Sequence, residues 1–195
     1  MKHKSQSVSK LATHKADSIT DARVRRTRNK INEAFVKMLF HRSYRNLRVS
    51  DVTRKAAIGR ATFYAHFSSK DDLLKAQVNR VVIPMLKASP DSPFLVDCRA
   101  LFAHVRTAPQ LFRAIVGDGE GSGLHVVRDA IEVRLDELLP TQKPIVGRLP
   151  ILLVKRFVVS TLLTIIAHGL QPGAIDSAEA MQNQFEKLVG SGLSA

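Results

Sequence analysis

The stretch Val49-Ser50-Asp51-Val52-Thr53-Arg54-Lys55-Ala56-Ala57-Ile58-Gly59-Arg60-Ala61-Thr62-Phe63-Tyr64-Ala65-His66-Phe67 decides the reading of this chain. It divides into two short helical segments, Val49–Ala57 and about Arg60–His66, separated by a tight break at Ile58-Gly59. Val52 and Ala56 form the apolar face of the first segment, and Phe63 and Phe67 that of the second. The break is expected to bury Ile58 and to bend at Gly59. Arg60, Ala61, Thr62, Tyr64, Ala65 and His66 are left for the outer side of the second segment. Small Ala61, Thr62 and Ala65 permit close approach to a partner surface, and Tyr64 and His66 offer hydrogen bonds.

Upstream, Val24, Ile31, Ala34, Phe35, Met38 and Leu39 recur at helical spacing, which predicts a helix from about Ala22 to near His41. Arg23, Arg25, Arg26, Arg28 and Lys30 crowd its first turns, where positive charge opposes the helix dipole. Downstream, Ser69 and Asp72 have capping-box spacing and open a helix that runs through Leu73, Leu74 and Val78 toward Pro84. Three helices between Val24 and His66 have the dimensions of a helix-turn-helix unit, whose last helix enters a DNA major groove.

The charge distribution points the same way. The net charge is +13. Residues 1–85 carry 19 basic and 6 acidic side chains, and residues 86–195 carry 11 of each. All the excess therefore lies at one end, as expected of a surface that faces a polyanion. An anionic membrane would satisfy charge alone, but the most apolar stretch, Ile151–Leu170, is broken by Lys155, Arg156 and His168. Its uninterrupted part, Phe157–Ala167, is too short to span a bilayer, and no signal peptide is visible. The single cysteine, Cys98, excludes an intrachain disulfide and a cysteine-cluster metal site and fits a reducing cytoplasm.

The rest of the chain reads as helical. Residues 1–21 form a disordered basic arm, 22–84 the basic head and 85–195 a helical body. Ala88–Pro93 is a linker, and five helices follow: Pro93–Arg106, Pro109–Val116, Gly123–Leu138, Pro150–Gly169 and Ser177–Val189. No segment alternates with period two, so the fold class is all-α without a sheet.

The quoted stretch, followed by Ser68-Ser69-Lys70-Asp71-Asp72-Leu73-Leu74, resembles the TetR family of transcriptional regulators over about residues 24–80. His168-Gly169-Leu170 followed by Glu179, Phe185 and Leu188 is similar to the family's last two helices. The resemblance implies a DNA-binding set of Arg48, Ser50, Arg60, Ala61, Thr62, Tyr64, His66 and Lys70. In it Arg60 reads bases, Thr62, Tyr64 and His66 contact DNA, and Lys70 holds a phosphate. Arg48 departs from the pattern, because the family more often has a capping Ser or Thr there.

By the same resemblance the body dimerises and holds an effector pocket. Leu163, Met181, Phe185 and Leu188 are the interface candidates. Cys98, Phe102, His104, Phe112, His125 and Phe157 are the pocket candidates, each of which also reads as ordinary core. The expectation is a cytoplasmic homodimeric repressor bound to palindromic double-stranded DNA, with a small-molecule effector the sequence does not name. A nonspecific nucleoid-type DNA-binding protein is the alternative. No enzyme motif, metal site or cofactor is expected. Gly117–Gly123 is glycine-rich but follows no strand, and there is no His-Glu-x-x-His pair.

Overall fold

The computed structural model describes residues 4–89, 96–117, 123–139, 149–174 and 177–193, with side chains from Asp21 onward. Nine α-helices occur among them: α1 Lys4–Leu39, α2 Val49–Ala56, α3 Arg60–Tyr64, α4 Lys70–Val81, α5 Arg99–Thr107, α6 Pro109–Val116, α7 Leu124–Leu138, α8 Ile151–Gly169 and α9 Ala178–Leu193. Single 3-10 turns at Tyr44–Asn46 and Ile83–Met85 follow α1 and α4. The all-α architecture and the number of body helices agree with the sequence reading, but the first body helix begins at Arg99 instead of Pro93, because Val96–Asp97 is extended.

The backbone is helical from Lys4, over residues read from the sequence as a disordered basic arm, and three further local expectations are corrected. Neither Gly nor Pro occurs before Gly59, and nothing in the chain stops the first helix from running back. Val24, assigned to the apolar stripe, is 44% exposed, because the fully buried face of α1 begins only at Ile31. Lys87–Ala88 and Val96–Asp97 form a small antiparallel pair, Lys87 opposite Asp97 and Ala88 opposite Val96. Strands of two residues are too short to show any alternation.

The third correction concerns the turn before α3. Its left-handed residue is Ala57, with φ 53° and ψ 49°, whereas Gly59 is extended at φ −73°. The Ala57 N–H donates to the Arg54 carbonyl (3.2 Å) and the Ile58 N–H to the Thr53 carbonyl (3.1 Å). This is the helix-ending pair of a Schellman motif, in which glycine is the usual residue at the position Ala57 occupies. A Cβ there costs about 1 kcal/mol. Ala57→Gly is therefore expected to raise stability by about that amount, seen as a higher urea midpoint at unchanged slope. Gly59→Ala should leave it nearly unchanged, since a Cβ there would meet only Thr62 Oγ1 at 3.9 Å.

Ile31, Phe35, Tyr44, Phe63 and Phe67 are buried in the head, and the burial continues through Leu73, Leu74 and Val78 of α4 into the body. There, α8 is the central helix, with Val154, Val158, Leu162 and Ile165 turned inward. It is long and apolar enough to cross a membrane by length and composition alone. Its inner face instead packs against α5, α7 and α9.

The interface assignment made from sequence needs revision. Met181 and Phe185 are fully buried within the protomer and Leu163 nearly so; only Leu188 is exposed, at 53%. The most apolar positions of α8 and α9 are those already used in the chain's own core. Exposed Leu152, Leu153 and Phe157 on α8 lie on the outer side instead. The Phe157 ring sits where a Cβ on Gly192 would be, 2.5 Å from its tip, which seats α8 on the end of α9.

Candidate nucleic-acid interface

Helix α3 is five residues long, and Phe63 is its one buried side chain. Phe63 packs edge-on against Tyr64 (5.4 Å between ring centres) and at a tilt against Phe67 (5.9 Å). With Phe63 inward, the backbone turns Arg60, Ala61, Thr62, Tyr64 and Ala65 to solvent, Tyr64 at 55% exposure. Arg28 of α1 stacks over the Phe67 ring at 4.8 Å. That contact occupies one cation of the crowded first helix and ties α1 to the segment after α3. His66 is half-buried just past α3, and Arg60 makes no ion pair among the described residues.

Helix α2 braces α3 through buried Val52, Thr53 and Ala56. Arg48 stands at its N-cap without an acceptor to offer. Asp51 completes half of the cap by accepting from the Arg48 N–H (3.1 Å). The Asp51 carboxylate also lies 3.8 Å from Arg42 and 3.6 Å from Arg54. Arg48 and Ser50 remain at the start of α2, exposed and half-buried respectively. Ser69 caps α4, accepting from the Asp72 N–H at 3.0 Å. The return bond lies one residue earlier than the sequence suggested, because Asp72 accepts from Ser68 (2.9 Å) and not from Ser69.

Lys70 is less available than its sequence position implies. Its ammonium donates to the Tyr44 carbonyl (2.9 Å) and lies over the Tyr44 ring at 4.1 Å. Desolvation pulls the Lys70 pKa below the usual lysine value, partly opposed by the charge of Asp71. The Tyr44 hydroxyl in turn donates to Asp71. His125, at the start of α7, places Nε2 3.3 Å from the same carboxylate. Tyr44, Lys70, Asp71 and His125 thus clasp the head to the body, and sequence reasoning missed Tyr44 because nothing in the local pattern marks a buried tyrosine in a turn.

The hydrogen bond from Tyr44 is the main reason the Asp71 carboxyl sits below the ordinary carboxylate range, with a further contribution from His125. Burial, and after it the same contact, raise the Tyr44 hydroxyl well above the usual tyrosine. A depressed carboxylate stabilises the fold fully above its unfolded value, and that contribution fades as pH falls through the folded value. Stability is therefore expected to drop on acidification below the usual aspartate value of 3.8. Urea unfolding of Asp71→Asn across pH 6 to 3 should show a shallower fall than the parent.

A cavity of about 70 Å³ lies where α1, α4, α5 and α6 meet α7 and α8, and His104 and Phe112 line it. The other pocket candidates are elsewhere. Cys98 and Phe102 are fully buried core, and burial pushes the Cys98 thiol well above its usual value. His125 is on the surface beside Asp71, and Phe157 is on the outer face of α8.

Residues 31–76 match the family model described as bacterial regulatory proteins, tetR family. The head of this chain is thus similar to that family over those residues. The match spans α2, α3 and the first part of α4 together with the last quarter of α1, which packs on them. The Uncharacterized HTH-type transcriptional regulator YxbF of Bacillus subtilis is 43% identical over 61 residues, which is 31% of this chain and 16% of that protein. The likeness to YxbF therefore extends to a head-sized piece and no further.

A TetR transcriptional regulator from Streptococcus agalactiae superposes with TM-score 0.57 at 22% identity, covering 89% of this chain and 98% of that one. The TetR fold thus extends over the body as well. NalD of Pseudomonas aeruginosa matches more loosely, at TM-score 0.47 and 14% identity. Phe63 and Phe67 are the buried supports behind the exposed face of α3.

Proposed function

We propose that the protein is a sequence-specific DNA-binding regulator that acts as a homodimeric repressor and is released from its operator by a small molecule. The observation that carries the reading is the outward face of α3, where one phenylalanine anchors the helix and all four other side chains face solvent. That face stands on the half of the chain that holds the whole net charge of +13. Arg60 suits a bidentate contact to guanine, Ala61 and Thr62 allow close approach, and Tyr64, His66, Arg48 and Ser50 suit phosphates. Dimerisation through the outer face of α8 and the Leu188 side of α9 gives a palindrome, with half-sites about 34–36 Å apart or a small multiple of that.

Selection of bound fragments from the native genome tests the reading. Recovery of one palindromic sequence supports it. Equal recovery of all sequences, with affinity governed only by salt, would instead establish a nonspecific nucleoid-type binder.

Lys70 gives a second check. Lys70→Ala is expected to weaken binding to all DNA alike and to reduce the salt slope by about one per subunit contact. An unchanged slope would mean that the ammonium stays on the Tyr44 carbonyl when DNA is bound.

A further inference from the structure

The cavity between the head and the body has one polar group that the fold leaves unmatched. Gln77, on α4, lines it and is only 7% exposed. Its Oε1 accepts from Arg80 at 2.7 Å. Arginine only donates, so this contact fixes which way the amide faces. The Nε2 end is buried and has no hydrogen-bond partner. A buried donor in that condition is costly, and native proteins rarely keep one without a use.

The remaining lining is apolar except for His104, whose ring meets Phe112 edge-on at 5.5 Å. No Asp, Glu, Lys or Arg side chain is among the lining residues. A charged ligand would therefore lose its hydration without gaining a counter-ion. Water is also a poor occupant, since a buried water is held by two to four polar partners. At about 70 Å³ the space is roughly half the ~150 Å³ engineered cavity that takes benzene, which sets the scale at a few heavy atoms.

We infer that this cavity binds a small, uncharged, largely hydrocarbon molecule with one hydrogen-bond acceptor, and that the Gln77 amide is the group that reads that acceptor. The inference deepens the regulator reading above, on which it rests for its consequence at DNA. Gln77 lies two helical turns beyond Lys70 and Asp71, the residues that hold Tyr44. An occupant drawn to Gln77 therefore acts on the helix that carries the head's clasp, and displacement of α4 shifts α3 relative to its partner.

Three probes of the same small size separate the alternatives: acetone, isobutane and isopropylamine, the last charged at neutral pH. Titration of the full-length protein, followed by amide chemical shifts in the absence of DNA, should show both neutral probes binding. The ketone should bind roughly tenfold tighter, as one hydrogen bond to a buried donor supplies, and the amine not measurably. Gln77→Met should keep isobutane binding and abolish the ketone's advantage. Val81→Phe, which fills the space from the lining of the same helix, should block both.

Failure of either neutral probe to bind, equal binding of the amine, or a ketone advantage surviving Gln77→Met would each overturn the inference. If Gln77→Met does not fold, the wild-type ranking and Val81→Phe decide by themselves. Operator affinity measured without any probe keeps the two claims apart. Absent operator binding sinks the regulator reading while leaving the cavity assignment standing, and intact operator binding with no probe uptake does the reverse.

Discussion

Leu153→Glu combined with Leu188→Glu is expected to yield a soluble, fully helical monomer that no longer holds a palindromic operator. Both side chains are more than half exposed on the lone protomer, at 54% and 53%. On α8, Leu153, Phe157, Ser160, Thr164 and Ala167 are all exposed and recur at alternating spacings of four and three residues. That is the period of a helix seam, with small residues in its second half that let a partner helix come close. In a two-fold interface each substitution acts twice, so the double variant places four carboxylates in one buried patch. Losing the dimer uncouples the two half-sites, and operator affinity should fall by about 10²–10⁴.

Phe185 is the control. It is fully buried in the protomer, and Phe185→Ala should cost about 3–5 kcal/mol of folding stability instead of releasing folded monomers. Sedimentation distinguishes the outcomes. A wild-type monomer at micromolar concentration, or a double variant that stays dimeric, would show that the partner surface lies elsewhere.

The second large effect belongs to Arg60. It is the first residue of α3, exposed and without an ion pair among the described residues, so no internal bond need break for it to reach a base. A bidentate contact from arginine to guanine is worth about 1–3 kcal/mol of discrimination. The dimer makes that contact in both half-sites. Arg60→Ala should therefore relax the preference at one symmetric pair of positions and leave the rest of the site unchanged. Tyr64→Phe should weaken specific and nonspecific DNA to a similar degree, as loss of a phosphate contact does. A binding-site selection repeated with Arg60→Ala is the measurement, and an unaltered preference at every position would place Arg60 on a phosphate.

The local pattern of the chain determined the head. Val52, Ala56, Phe63 and Phe67 alternate with polar residues at helical spacing, and a short helix with one inward anchor has few choices about what faces out. The charge asymmetry, the five body helices and the exposed set on α3 follow from sequence-local information. The turn was less legible. Glycine is the usual left-handed residue and points to Gly59, yet the hydrogen bonds that end α2 put that conformation on Ala57.

Tertiary packing decided everything that depends on which face of an apolar helix is already covered. Periodicity shows that α8 and α9 are apolar, but it does not say which side the protomer uses and which side it leaves for a partner. Met181 and Phe185 went to the core and Leu153 to the surface for that reason. The clasp of Lys70 on Tyr44, Tyr44 on Asp71 and Asp71 beside His125 joins residues 26 to 54 positions apart. The unmatched amide of Gln77 exists only because six helices close around it. Such contacts are set by how whole elements dock, a long-range property that no local spacing records.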